Sequence, residues 1–126
     1  FSPKLSVSYN TFIGRESAFR HFHDLVFRFS PSEQWTFAAQ ADLGFQEEAP
    51  GGTDATWGGF MMVAKRTLSQ SVSVSGRVER YVDPKQVLIS ATNGHSFKAW
   101  NASIGVDTAL DTNLWWRNEV RAYRAD

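Results

Sequence analysis

Apolar and polar positions alternate along much of this chain with a period of two. The clearest run is Trp35 to Phe45. Trp35, Phe37, Ala39, Ala41, Leu43 and Phe45 fall on one side, and Thr36, Ala38, Gln40, Asp42 and Gly44 on the other. A strand points successive side chains to opposite faces, so the run predicts a strand with one greasy and one wet face. Two environments supply such faces. One is a protein core facing water; the other is lipid outside a watery lumen.

About seven runs of this kind follow one another, and no segment keeps a helical period. Lys4 to Ile13 sets Leu5, Val7, Tyr9, Thr11 and Ile13 against Ser6, Ser8 and Asn10. Phe19 to Phe29 sets Leu25, Phe27 and Phe29 against Arg20, Asp24 and Arg28. Thr56 to Leu68 is less regular, because Gly58 and Gly59 interrupt it and Met61 and Met62 point opposite ways. Ser71 to Asp83 sets Val72, Val74, Val78 and Val82 against Ser73, Ser75, Arg77, Glu79 and Tyr81. Phe97 to Leu110 sets Trp100, Ala102, Ile104, Val106 and Leu110 against Asn101, Ser103 and Asp107. Asn113 to Asp126 sets Leu114, Trp116, Val120 and Ala122 against Arg117, Glu119, Arg121 and Tyr123.

The connections sort by length. Ser30 to Gln34, Leu68 to Gln70 and Asp111 to Asn113 are short and carry turn residues. Gly14 to Ala18, Glu47 to Ala55 and Asp83 to Ser96 alternate with them, and the last two are long and polar. Short turns on one rim and long loops on the other are how outer-membrane barrels are built. The runs reach roughly 10 to 13 residues, beyond the usual globular strand of about 5–6. A tilted membrane-spanning strand needs about 9–11. Aromatics near the run ends, Trp35 and Trp116 by the short turns and Phe45, Trp57 and Trp100 toward the long loops, fit two interface girdles. The plain alternative is that aromatics simply favour strands.

Composition narrows the field. The chain has 126 residues, room for one domain (1–126) or a segment of one. Nothing approaches the ~20 consecutive apolar residues of a membrane helix. Thirteen basic and thirteen acidic residues cancel, so no electrostatic case for nucleic acid exists. There is no cysteine, hence no disulfide and no thiolate chemistry.

The polar sides carry interleaved charges: Arg20, Asp24, Arg28, Asp42, Arg77, Glu79, Arg117, Glu119 and Arg121. In a water-filled lumen they would line the pore and set its field. On a soluble sheet they would be an ordinary solvated face. The charges alone do not separate these; the apolar sides, which run nearly the full length of five runs, tilt the reading toward the lumen. Leu43, Val74, Ile104, Val106 and Val120 are therefore expected to face lipid. Arg80 and Asn118 are exceptions on that side, and arginine near an interface can snorkel.

Chemistry is thin. His21 and His23 share one face at i, i+2, a spacing at which two imidazoles can share a metal, but no third ligand is evident. His95 lies in a distant loop and Asp24 points to the other face. No metal site and no cofactor are expected. The carboxylates are mixed with arginines, which reads as an ion ladder rather than an acid–base pair. Pro50-Gly51-Gly52 has no Lys-Ser/Thr after it and is no phosphate loop. Asn93-Gly94 is a turn former within the last long loop. An enzyme is the least favoured reading.

Several motifs, in order, resemble the OmpL-like β-barrel porin family. Asp111-Thr112-Asn113-Leu114-Trp115-Trp116-Arg117-Asn118-Glu119-Val120-Arg121 is similar to that family's hairpin arm of turn, Asn-Leu, aromatic and Arg-x-Glu-x-Arg. Leu5 to Gly14 resembles its Tyr-x-x-x-Ile-Gly strand. Phe22-His23-Asp24 resembles a Phe-His-Asp element, and Arg77-Val78-Glu79-Arg80-Tyr81 an Arg-x-Glu-x-Tyr strand. The resemblance covers most of the chain. It implies a porin-like barrel in the outer membrane of a Gram-negative bacterium, with no catalytic residues.

The expected fold is thus all-β, an antiparallel up-and-down meander of a transmembrane β-barrel with about seven strands. Single-chain bacterial barrels have even strand numbers and end on an aromatic strand, so this barrel is expected to be incomplete, a segment of a longer chain. The expected function is passive passage of small polar solutes through a charged lumen. Membrane lipid, lipopolysaccharide, the remaining strands and an oligomer or protein partner are the expected contacts. The alternatives are a soluble all-β ligand-binding module, or a barrel that anchors or scaffolds a partner protein.

Overall fold

The computed structural model describes residues 4–15, 18–48, 53–90 and 96–125. Every alternating run becomes a strand: β1 (Leu5–Arg15), β2 (Phe19–Phe29), β3 (Trp35–Gln46), β4 (Ala55–Thr67), β5 (Val72–Asp83), β6 (Phe97–Asp111) and β7 (Leu114–Ala125). The shortest have 11 residues and the longest 15, long enough to cross a bilayer when tilted. β4 forms despite Gly58 and Gly59, because both of its flanks pair with longer-patterned neighbours.

Each strand pairs antiparallel with its neighbour in sequence, giving one sheet in the order β1 to β7. This is the expected up-and-down meander. Among the described residues β1 and β7 each pair on one side only, so the sheet is open and the barrel incomplete. The turns at 30–34, 68–71 and 112–113 form one rim, and the opposite strand ends, at Arg15, Phe19, Gln46, Ala55, Asp83 and Phe97, form the other.

Register assigns the two faces. β1, β2 and β3 pair even positions with even, but β3 meets β4 with Asp42 opposite Gly59. Parity therefore flips, and odd positions of β4 to β7 share a face with even positions of β1 to β3. A bulge between Ala109 and Asp111 ends this order beside the last turn. The rows are also staggered. The hydrogen-bonded row through Tyr9, Leu25, Ala41, Phe60, Arg80, Trp100 and Arg124 begins in the middle of β1 and ends at the tip of β7. Closing a sheet into a barrel requires this tilt and stagger.

Among the described residues, none packs as a second layer on the apolar face. Leu43 is 47% exposed, Ile104 69% and Val120 79%. The buried apolar residues among those described are Ala55, Trp57 and Ala99, far too few for a soluble core. An exposed apolar surface running the length of the strands exceeds what soluble monomers carry. The soluble-module alternative required Leu43 and Val106 to be buried, and neither is.

Candidate functional site

The nine charged residues singled out by the alternation share one face. Arg20, Asp24 and Arg28 stand on β2, Asp42 on β3, Arg77 and Glu79 on β5, and Arg117, Glu119 and Arg121 on β7. Asp107 of β6 joins them, as its pattern implied. Lys65 of β4 and Asp83 of β5 belong to the same face and were not singled out. Lys65 was hidden by the weak alternation of β4. Asp83 could have been found, because an Asp before Pro84 is a common anchor for turn amides.

On β4 to β7 the charges form a ladder of two ion-paired groups, one around Asp107 and one around Glu119. Arg117 donates from Nε and Nη2 to Asp107, at 2.6 and 3.1 Å. Lys65 Nζ reaches the second oxygen of Asp107 at 3.4 Å. Arg77 lies 3.2 Å from Glu119 and 3.3 Å from Glu79, and Arg121 lies 3.2 Å from Glu119. Asp107 and Arg117 stand opposite each other on adjacent strands, Lys65–Asp107 and Arg77–Glu119 each reach across one intervening strand, and Glu79 and Glu119 also meet arginines of their own strands, so these three carboxylates each meet a cation. A depression of about 340 Å³ lies over the ladder, bordered by Lys65, Arg77, Asp107, Arg117 and Glu119.

On β1 to β3 the charges stand apart. Asp24 and Asp42 lie directly opposite each other, a pairing of like charges that repels. Their hydrogen bonds come from amides: Asn10 to Asp24 at 2.8 Å and Gln40 to Asp42 at 3.2 Å. Arg20, at the long-loop end, donates to Gln46 from Nε and Nη2, at 3.0 and 2.5 Å. Its guanidinium also sits 5.6 Å from the centre of the Trp57 ring.

That contact corrects the placement expected of Trp57. Its parity puts it on the polar face, 4% exposed, apart from the other aromatics chosen for the girdles. The residue opposite is Gly44, and a Cβ there would overlap the indole. Trp35, Phe45, Trp100 and Trp116 do stand on the apolar face. Trp35 stacks on Phe37 at the short-turn end with Arg66 above it, and Trp100 meets Phe60 edge-on. Leu43, Val74, Ile104, Val106 and Val120 share that face.

The polar face is partly covered at the long-loop rim. Asp83 is fully buried, and its carboxylate accepts the amides of Val87, Leu88 and Ile89 at 2.8, 2.8 and 3.2 Å. Because Asp83 points to the polar face, those amides must lie over that face. The chain turns back through Gln86, at φ 54°. Lys85 then ties this segment to the neighbouring loop through Glu48, at 2.9 Å, and the Thr53 carbonyl.

His21 and His23 stand on the apolar face, away from Asp24. They bond each other at 3.1 Å, and His23 Nδ1 also meets the Tyr9 hydroxyl at 2.5 Å. Phe45 stacks on His21 with ring centres 4.6 Å apart. The two imidazoles thus satisfy each other and Tyr9, and no group of three metal-ligating side chains gathers among the described residues. His95, Pro50-Gly51-Gly52 and Asn93-Gly94 lie outside those residues.

The family model described as "Putative beta-barrel porin-2, OmpL-like" matches residues 1–126. No curated protein and no solved structure matches the chain. With the meander, the two segregated faces and this match over its full length, the chain belongs to the OmpL-like β-barrel porin family.

Proposed function

We propose that this chain forms part of the wall of an outer-membrane pore through which small polar solutes pass passively. One observation carries the reading: the exposed apolar face and the charged face are the two sides of the same seven strands. Lipid satisfies the first and water the second, whereas a protein in water leaves the first unexplained. The charged ladder would keep its ionisation in a wet lumen at little cost. The segment 84–90, held over the polar face by Asp83, would narrow the passage near its long-loop mouth. No chemical step is involved. The unpaired edges of β1 and β7 would be completed by further strands, because open edges in lipid leave backbone groups without partners.

The test is single-channel recording of the full-length protein, folded in detergent and reconstituted in a planar bilayer. Discrete ohmic steps are expected. A correctly folded barrel that passes no current would instead be an anchor or scaffold for a partner.

A further inference from the structure

The polar face carries aromatic rings as well as charges, and the rings gather at one end. Phe12 on β1, Phe22 on β2, Trp57 on β4, Tyr81 on β5, Phe97 on β6 and Tyr123 on β7 all have the parity of that face. Each stands within three residues of the long-loop end of its strand. On β3 the matching position is Gly44, and the Trp57 indole lies over it. The polar face thus has an aromatic collar that runs across all seven strands at the long-loop mouth. Trp115 is its counterpart beside the last short turn.

Two ordinary explanations fall short. An interface girdle belongs on the lipid-facing side, where Trp35, Phe45, Trp100 and Trp116 already stand. Support for the segment 84–90 calls for rings on β5, β6 and their neighbours. Tyr81 and Phe97 do meet there, with ring centres 6.1 Å apart. Phe12 and Phe22 stand on β1 and β2 instead, side by side in one row. Phe12 is exposed, and its ring is laid along the strand over Gly14, where a Cβ would collide with it. The polar groups beside these rings are of mixed kind. Arg20 and Gln46 lie on the loop side of the row, and Asn10, Asp24 and Asp42 on the other. An inorganic anion would be repelled by the two carboxylates. An organic cation would find the Arg20 guanidinium already over the Trp57 ring, 5.6 Å from its centre.

We infer that this collar is a binding site for neutral saccharides at the long-loop mouth, with Phe12 and Phe22 as its open platform. A sugar ring has C–H faces, polarised by its oxygens, that rest on the negative face of an aromatic ring. Its hydroxyls both donate and accept, so they suit the carboxylate of Asp24, the amide of Asn10 and the guanidinium of Arg20 together. An aromatic lining with a few polar groups of both kinds is the general make-up of a small-molecule site. The inference names a solute class for the pore wall proposed above and rests on that reading.

The experiment is saturation-transfer NMR of the full-length barrel in a non-glycosidic detergent, titrated with maltotriose, cellotriose and, as a separate probe, choline. Saturable binding of at least one trisaccharide is expected, with signal transfer strongest to the ring C–H protons. Phe12→Ala with Phe22→Ala should lose at least about 10-fold in affinity. Phe12→Tyr with Phe22→Tyr should retain binding, and Phe27→Ala, which removes a ring of β2 from the apolar face, should bind as the unaltered protein does. If the double alanine variant fails to fold, Phe12→Leu, which keeps apolar bulk without a π face, should still lose about threefold. Binding of neither trisaccharide by the folded, unaltered barrel overturns the site, as does undiminished binding by the folded double alanine variant. Choline bound more tightly than both trisaccharides also overturns it, by making the ligand an organic cation. The readout needs no conduction. Saturable binding in a barrel that passes no current keeps the site and removes the pore, whereas ohmic steps without binding keep the pore and remove the site.

Discussion

The two halves of the polar face hold their charges differently. On β5 to β7, Glu79, Asp107 and Glu119 each meet at least one cation within 3.3 Å. On β1 to β3, Asp24 and Asp42 oppose each other, and among the described residues they meet amide donors and no cation. Both halves mix acids with bases, yet only β5 to β7 bring them into ion pairs. The ladder cancels itself at short range, so its field dies away quickly across a watery space. The acidic pair does not cancel, so it is the part of the wall that a passing ion would feel. Interleaved charge along a sequence therefore does not define a pore's field; the pairing across strands does.

Three variants break or sharpen this contrast. The largest effect is expected from Asp24→Asn with Asp42→Asn. Reversal potentials in a salt gradient should show the preference for cations over anions falling by about three- to tenfold. Asp83→Ala comes next. It takes the acceptor from three backbone amides and frees 84–90 from the mouth of the ladder side. Unit conductance should rise about twofold, with noisier open-channel current. Unchanged conductance would mean that this segment does not narrow the passage. The smallest effect is expected from Glu119→Gln with Arg121→Gln, which removes one charge of each sign from the ladder. Ion preference should stay within about 1.5-fold, and resistance to urea unfolding in detergent should change by less than about 0.5 kcal/mol. A shift as large as that of the acidic pair would erase the difference between the two halves.

Much of this was legible in the sequence because a period of two is unambiguous where it is strong. Trp35 to Phe45 and Ser71 to Asp83 declare their faces residue by residue, and the register agrees with both. The runs themselves located all seven strands to within two residues at either end. β4 resisted. Gly58, Gly59, Met61 and Met62 carry no clear contrast, and the face of each followed only from the pairing of Asp42 with Gly59. Lys65 and Trp57 were obscured for that reason, and Trp57 needed the further fact that Gly44 makes room for its ring. Which charges pair was not legible at all, because Arg77 meets Glu119 across β6 from a strand not its neighbour.

The central claim is that Leu43 and Asp42, one residue apart, face lipid and water. Residues 1–126 hold no cysteine, so single-cysteine variants from Gln40→Cys to Phe45→Cys, in a full-length protein with any cysteine outside these residues replaced by serine, can each carry one spin label. Collision rates with oxygen, which favours lipid, and with a water-soluble nickel chelate would be compared in liposomes. Labels at 41, 43 and 45 should favour oxygen, and those at 40, 42 and 44 the chelate, with a period of two. Chelate access at all six positions, or labels at 41, 43 and 45 shielded from both reagents, would contradict a lipid-facing sheet.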